Sequence, residues 1–424
     1  MNKMLMDNIF VCEVYDGVIM YNFNNLNVIH LKKNEFEEIV QHIKKNGMSP
    51  IEYKWFFSRN RIKMSNVVDE GVTPIIFTGY KCNYSCDYCY QHKHKKNTLL
   101  FDKGLLSNIE EFYRVYGKLF GINTKIKEIS IIGGEPLLDE NITLFTAISK
   151  KWGSKKIYIS TNGVNIKKYS SLLKKMNCEL HVSIDGTEEI HYKRRHPMEN
   201  TYYQKTIDGI TWLAQNKIPF HIMSLFFADN ARQFPKFLNQ LEMMGIDINE
   251  NTVNLMLKYD NCGEDINNDY LRECLLAVKE LSKVEPRLQN INLSKLAPGI
   301  DAFFKKDVLF HKCGRLINSD FVFFPNGKVS ICQASDNEEL LIGRFSPDIF
   351  IDIDKIMRFH QRNIINMKKC RECKYSLVCR GGCVASATYQ KKSILEENCF
   401  YWKDENWMES FEIVGNIMVE MGLL

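Results

Sequence analysis

The chain has 424 residues, of which 45% are hydrophobic and 25% charged, with a net charge of +5. That length exceeds one ordinary core and implies two or three domains of a globular protein. The excess charge forms no long basic block and accompanies no nucleic-acid motif, so DNA and RNA are not expected partners, and no run of eighteen apolar residues suggests a membrane span.

The opening stretch, MNKMLMDNIFVCEVYDG, has acidic residues breaking any apolar run, so it does not read as a secretory signal, and a cytoplasmic setting is expected. Fourteen cysteines in such a chain point to metal or redox chemistry rather than to disulfides. Four of them, Cys12, Cys178, Cys262 and Cys274, are scattered and read as small buried apolar residues.

Residues 1–70 read as an α+β extension. IFVCEVYDGVIMYNF gives two β-prone runs split by Asp16-Gly17, a hairpin signal. NEFEEIVQHIKKNG then predicts a helix capped by Asn34 with Glu37 three residues later. Phe36, Ile39, Val40 and Ile43 form its apolar face, and Asn46-Gly47 stops it. A packing extension and a docking platform for a peptide both fit this unit, since an exposed strand edge can accept another strand.

Residues 71–300 alternate short β-branched runs with amphipathic segments. The runs are TPIIFTG, KEISIIGG, KKIYIST, ELHVSID, PFHIMSLFF and NTVNLML; DKGLLSNIEEFYRVYGKLF and YYQKTIDGITWLAQNK are two of the amphipathic segments. This alternation predicts parallel strands with helices outside, and six repeats suit a partial (β/α)6 TIM-like barrel. Residues 301–400 lose the alternation and become loop-rich and cysteine-rich. FVFFPNGKVSIC there reads as a hairpin turned at Pro325-Asn326-Gly327. Residues 401–424 end in an amphipathic helix within NWMESFEIVGNIMVEMGLL.

Directly after the first barrel strand, KCNYSCDYCYQ places Cys82, Cys86 and Cys89 within one short loop. Three thiolates can hold three corners of an iron–sulfur cubane and leave one iron open for a substrate or cofactor. Three ligands of a zinc site are the plainer alternative, although C-x3-C-x2-C is not a zinc-ribbon spacing. Gly133 and Gly134 after the second strand would let backbone approach a ligand, and Glu135 offers an acceptor for an ammonium group. ISTNG and SIDG end the third and fourth strands, so Ser160, Thr161, Asn162, Ser183 and Asp185 are expected at the same rim. A second set comprises Cys313, Cys332, Cys370, Cys373, Cys379, Cys383 and Cys399. Seven ordered cysteines are awkward for zinc but suit one complete cubane plus one with three protein thiolates.

The loop C-x3-C-x2-C, with the aromatic Tyr88 before its last cysteine, resembles the hallmark of radical S-adenosylmethionine (SAM) enzymes. The resemblance implies a [4Fe-4S] cluster whose open iron chelates the methionine end of S-adenosylmethionine, giving a 5′-deoxyadenosyl radical that abstracts hydrogen. It also implies cofactor contacts from Tyr88, Gly133, Gly134, Glu135, Ser160, Asn162, Ser183 and Asp185, with Arg194 or Arg195 facing the carboxylate. The second set resembles the SPASM domain attached to many of these enzymes. By that resemblance Cys370, Cys373, Cys379 and Cys399 hold an outer auxiliary [4Fe-4S] cluster, and Cys313, Cys332 and Cys383 an inner one. The inner cluster's fourth ligand is open, or is Asp307 or His311.

SPASM enzymes mostly modify peptides or proteins. The expected function is therefore a radical SAM oxidoreductase that cross-links a small, Cys-containing, ribosomally made peptide through a thioether or another bond. Residues 1–70 would dock its leader. A flavodoxin- or ferredoxin-type electron donor and an anaerobic cytoplasm go with that chemistry. Anaerobic sulfatase maturation, oxidising Cys or Ser to formylglycine, is the second reading. Those enzymes carry an Asp base after the second SPASM cysteine, whereas Gln333 follows Cys332 here. An iron–sulfur electron carrier would explain the clusters but not the polar motifs along one rim.

Overall fold

Four antiparallel strands open the chain: β1 (Lys3–Met6), β2 (Ile9–Val14), β3 (Gly17–Asn22) and β4 (Asn27–Leu31), paired in that order. The computed structural model describes residues 3–6, 9–14, 16–23, 27–46, 71–91, 94, 96–226, 228–249, 253–257, 268–295, 319–333, 337–390, 393–399 and 404–420. The hairpin at Asp16-Gly17 forms as expected, with Val14 opposite Gly17. β1 and β4 flank it as short edge strands that the sequence reading did not separate out. Helix α1 (Lys33–Asn46) follows, and its Phe36, like Ile29 and Leu31 of β4, packs against Ile9, Val11, Val18 and Met20 of the sheet. Its first turn is closed differently from the expectation: the Lys32 N–H donates 2.8 Å to the Glu35 carboxylate. The helix starts at Lys33, so the capping position is Lys32 and the acid three residues on is Glu35, not Glu37.

From residue 71 the expected alternation is present. β5 (Ile75–Phe77), β6 (Glu128–Ile132), β7 (Lys156–Thr161), β8 (Cys178–Ser183), β9 (Phe220–Phe226) and β10 (Val253–Leu257) lie side by side in chain order, all parallel. A further parallel strand, β11 (Asn292–Lys295), joins β10. Helices α2 (Leu106–Phe120), α3 (Ile142–Trp152), α4 (Glu188–Arg194), α5 (Tyr202–Gln215), α6 (Phe234–Met243) and α7 (Asn268–Ser282) lie between these strands in the chain. In α2, Leu106, Ile109, Phe112, Tyr113 and Tyr116 recur every three or four residues and form its buried face. Each such side chain contributes roughly 1.5–3 kcal/mol by leaving water. Cys12, Cys178 and Cys274 are buried, as their isolation in the sequence suggested, while Cys262 lies outside the described residues.

The cysteine-rich region begins as part of the same sheet. The expected hairpin forms from β12 (Val322–Phe323) and β13 (Lys328–Ser330), turned at residues 325–327. β12 pairs in parallel with β5, Val322 opposite Ile75, and β14 (Leu341–Arg344) and β15 (Phe350–Ile351) continue the sheet to eleven strands. The Tyr113 hydroxyl donates 2.8 Å to the Ser319 carbonyl, and the Thr73 N–H donates 2.8 Å to Asp320. Beyond α8 (Ile353–Gln361) come single helical turns, then the expected terminal helix α9 (Asp404–Glu420). α9 meets the N-terminal sheet: the Tyr21 hydroxyl donates 3.0 Å to the Phe411 carbonyl, and their rings lie 4.9 Å apart. Among the described residues no helix is long and apolar enough to cross a membrane.

Candidate active site at the carboxyl ends of the strands

Because β5 to β9 are parallel and in register, the loops that follow them open at one end of the sheet. The cysteine loop follows β5. Residues 83–87 run along residues 194–198: the Ser85 N–H donates to the His196 carbonyl (2.9 Å), Asp87 N–H to Arg194 (3.0 Å), and Met198 N–H to Asn83 (3.3 Å). Asn162, after β7, reaches into the same loop, its amide donating 2.6 Å to the Asn83 side chain. The loop is therefore tied to two strand ends before any ligand is considered.

The Gly133-Gly134 turn after β6 explains itself by close approach. Its Gly134 N–H donates to the Gly79 carbonyl (2.7 Å) and the Glu135 N–H to Lys81 (2.9 Å). A Cβ on Gly134 would sit 2.3 Å from the Lys81 oxygen and 2.5 Å from that of Tyr80; one on Gly133 would sit 2.2 Å from Thr78 Oγ1. Only glycine lets this turn lie against the root of the cysteine loop. Gln91 adds a side-chain bond to the Gly133 carbonyl (3.0 Å).

Glu135 is buried, with 2% of its surface exposed. Burial raises its carboxyl pKa, against three donors: Asn162 N–H (2.7 Å), Thr161 hydroxyl (2.6 Å) and Leu137 N–H (2.8 Å). Both carboxylate oxygens are thus engaged in bracing the β6 turn against the end of β7. Thr161 points to this buried side. Ser160 and Ser183, by strand alternation, lie on the half-buried face.

After β8, Asp185 and Arg195 form a buried ion pair, with Arg195 Nε 2.5 Å from Oδ2 and Nη2 3.1 Å from Oδ1. The Tyr88 hydroxyl donates to the same Oδ2 at 2.5 Å, and the guanidinium lies 5.4 Å from the centre of the Tyr88 ring. The Leu225 N–H of β9 completes the set at 3.0 Å. Burial alone would raise the Asp185 carboxyl; the Arg195 charge and these hydrogen bonds outweigh it and hold it below the usual carboxylate value. Of the two candidate arginines, Arg194 turns outward to Asp229 (2.9 Å). Beneath the pair, His191 accepts from the Asp185 N–H at Nδ1 (3.3 Å), so Nε2 carries the proton toward the Tyr84 oxygen (3.3 Å). Burial, then the Arg195 charge, pushes His191 down to about 3, so it is neutral near pH 7.

The three thiols lie within electrostatic reach of one another, and burial followed by the Glu135 charge pushes Cys82 up to about 12. A cation changes that balance, since a coordinating thiol loses its proton outright. Three soft ligands within electrostatic reach of one another on a pinned loop fit an iron–sulfur group.

In the second set, Cys370 lies within electrostatic reach of Cys379, Cys399 and Cys373, and burial pushes its thiol up to about 12. Cys332, Cys379 and Cys383 pack against the main core, whereas Cys313, Asp307 and His311 lie outside the described residues. Arg362, which sequence reasoning missed, links the surrounding loops. Its buried guanidinium donates to the carbonyls of Ile394 (2.6 Å), Glu396, Gly381 (3.0 Å) and Gly382 (3.4 Å). Cys383, Cys370 and Cys379 all act on its charge. These thiols around a buried cation fit a negatively charged thiolate cluster. Asn83, Gln91 and His191 were missed as well; a polar residue inside the cysteine loop was the available signal for Asn83.

Residues 76–241 match the radical SAM superfamily. The cysteine-type anaerobic sulfatase-maturating enzyme of Clostridium novyi is 22% identical over 336 residues, 71% of this chain and 84% of that enzyme. A probable GTP 3′,8-cyclase of Methanococcus maripaludis is 30% identical over 115 residues, 27% of this chain; the match spans 36% of that relative's length. Among solved structures, anSMEcpe with bound AdoMet and Cp18Cys peptide superposes with a TM-score of 0.59 at 19% identity, covering 84% of this chain and all of that one. SuiB of Streptococcus suis, bound to precursor peptide SuiA, gives 0.56 at 15% identity over 95% of this chain and all of that one. The matched segment holds the cysteine loop, the Gly133–Glu135 turn and the Asp185–Arg195 pair, so the chain carries a radical SAM domain.

Proposed function

We propose that this enzyme is a peptide maturase that installs a cross-link, thioether or other, in a ribosomally made, Cys-containing peptide. The observation that carries the reading is the four-stranded N-terminal sheet, an addition to the parallel core with two strand edges, β1 and β4. Residues 1–70 would dock a leader peptide by adding its backbone to such an edge. The likeness to SuiB, whose structure holds its precursor peptide, spans 95% of this chain and supports the same reading.

The strands in chain order support a partial barrel over residues 71–300, and the cysteine-rich segment reads as a SPASM domain over 301–400. Cys82, Cys86 and Cys89 would hold the [4Fe-4S] cluster, which with S-adenosylmethionine supplies a hydrogen-abstracting radical when bound. Gly133 and Gly134 offer bare backbone to the cofactor, and Ser160, Asn162 and Ser183 offer polar groups at the rim. The Asp185–Arg195 pair holds Tyr88 between two of the cysteines. Cys370, Cys373, Cys379 and Cys399 would hold the outer auxiliary cluster, and Cys313, Cys332 and Cys383 the inner one, which would offer a seat for a substrate thiolate, while the auxiliary clusters would provide an acceptor for the leftover electron. A flavodoxin- or ferredoxin-type protein would supply the first electron, in an anaerobic cytoplasm.

The test is a peptide mass after anaerobic co-expression with a short Cys-containing peptide encoded beside this protein. Loss of two hydrogens per cross-link, absent with Cys82→Ala, is expected. An unchanged mass with S-adenosylmethionine still cleaved would reject cross-linking. Sulfatase maturation is the second reading, favoured by the sequence relationship to the C. novyi enzyme along 71% of this chain. Gln333 after Cys332, in place of the Asp base of those enzymes, counts against it.

A further inference from the structure

The half-buried face of the parallel sheet carries a second cluster of ligand-type side chains, apart from the two cysteine sets. Glu179 and His181 alternate on β8, and His221 of β9 stands directly opposite His181. His221 Nε2 lies 3.0 Å and His181 Nε2 3.4 Å from the same oxygen, Glu179 Oε1, and all three ligand atoms lie within 4.8 Å of one another. The other Glu179 oxygen is held by Lys156 Nζ at 3.1 Å. Ser183 shares this face four residues beyond Glu179 and two beyond His181 along β8, about 13 and 7 Å at the usual strand rise. Glu179 and His221 therefore sit toward the amino ends of their strands, whereas the cysteine loop follows a strand's carboxyl end.

We propose that Glu179, His181 and His221 form a binding site for a divalent, zinc-type cation. Zinc held tetrahedrally at about 2.0–2.1 Å by nitrogen and oxygen needs its ligand atoms about 3.3–3.4 Å apart, and the two His–Glu separations lie close to that edge. Two imidazoles and one carboxylate are the ligand types such an ion takes, and three leave a fourth position for water. A cavity of about 540 Å³ borders the cluster, lined by Glu179 and His221 together with Phe220, Lys217 and Asp247. It gives the ion a way in and the fourth position room. Lys156 keeps the second carboxylate oxygen occupied, so Glu179 would bind through one oxygen, oriented by its outer partner.

The experiment uses the iron-loaded enzyme, equilibrated anaerobically with zinc chloride and desalted. The wild type should retain about one zinc per chain more than a His181→Ala/His221→Ala variant of equal iron content. Zinc-edge X-ray absorption should show nitrogen and oxygen at about 2.0–2.1 Å and no sulfur at about 2.3 Å. Equal zinc in wild type and variant, or a sulfur shell, overturns the site. Should the double variant fail to fold, Glu179→Gln, which keeps the side chain's shape, is read the same way: lost zinc supports the site and retained zinc overturns it.

Discussion

Arg195 places two nitrogens on the two carboxylate oxygens of Asp185, at 2.5 and 3.1 Å, with both side chains buried. Asp185→Asn removes one charge and leaves the other in the interior, a loss of about 3–5 kcal/mol by the usual cost of breaking a buried pair. Anaerobic chemical denaturation of the iron-loaded protein should show a midpoint lowered accordingly. A midpoint within error of wild type would mean that Arg195 finds other partners there.

Cys82→Ala should abolish 5′-deoxyadenosine formation by the dithionite-reduced enzyme and remove about four irons per chain. The readout is iron content alongside chromatographic detection of deoxyadenosine. Full iron with no deoxyadenosine would break the link between this cysteine and the cluster.

Gly134→Ala pushes a methyl group against two carbonyls at the root of the cysteine loop. Overpacking of this kind costs about 1–3 kcal/mol. Here the backbone that must give way leads into Cys82, so cluster incorporation should fall along with stability. Normal iron uptake and a normal unfolding midpoint would show that the turn yields elsewhere.

His191 supplies a pH dependence. Its folded-state value of about 3 lies below the ordinary 6.5, so between these values the unfolded chain binds a proton that the folded one does not. Stability is therefore full above pH 6.5 and falls as pH drops toward 3, by about 1.4 kcal/mol per pH unit from this group. His191→Gln should flatten that part of the curve when unfolding is compared at pH 7 and pH 5.5. Parallel curves for the two proteins would refute the assignment.

On the proposed auxiliary-cluster assignment, Arg362→Gln should lose auxiliary iron, because four carbonyls from the loops around Cys379, Cys383 and Cys399 converge on this one guanidinium. Electron paramagnetic resonance of the reduced variant should show a weakened auxiliary signal and an intact signal from the Cys82 cluster. An unchanged spectrum would limit Arg362 to packing.

The alternation of β-branched runs and amphipathic segments revealed six parallel strands, and the cysteine spacing led to the loop after the first of them. Periodicity and spacing are local properties that a sequence displays directly. β11 escaped because four residues, Asn292–Lys295, carry too little alternation to stand out. The parallel seat of β12 against β5 escaped because pairing partners 247 positions apart, such as Val322 and Ile75, leave no local trace. The same holds within the site. Asp185 and Gly134 stand in short motifs, whereas the roles of His191 and Arg362 exist only once distant loops have met around them.

The insertion of β12 beside β5 also bears on how the protein is made. β5 is the first strand of the parallel sheet to be synthesised, and one of its edges stays bare until residues 322–323 have emerged. Until then the nascent chain presents an unfinished β-edge next to the cysteine loop. Closing that edge is a late, long-range event of the kind that folds slowly and invites misassociation. Completion of the sheet seats the β12–β13 hairpin, which leads into Cys332, beside the strand that leads into Cys82.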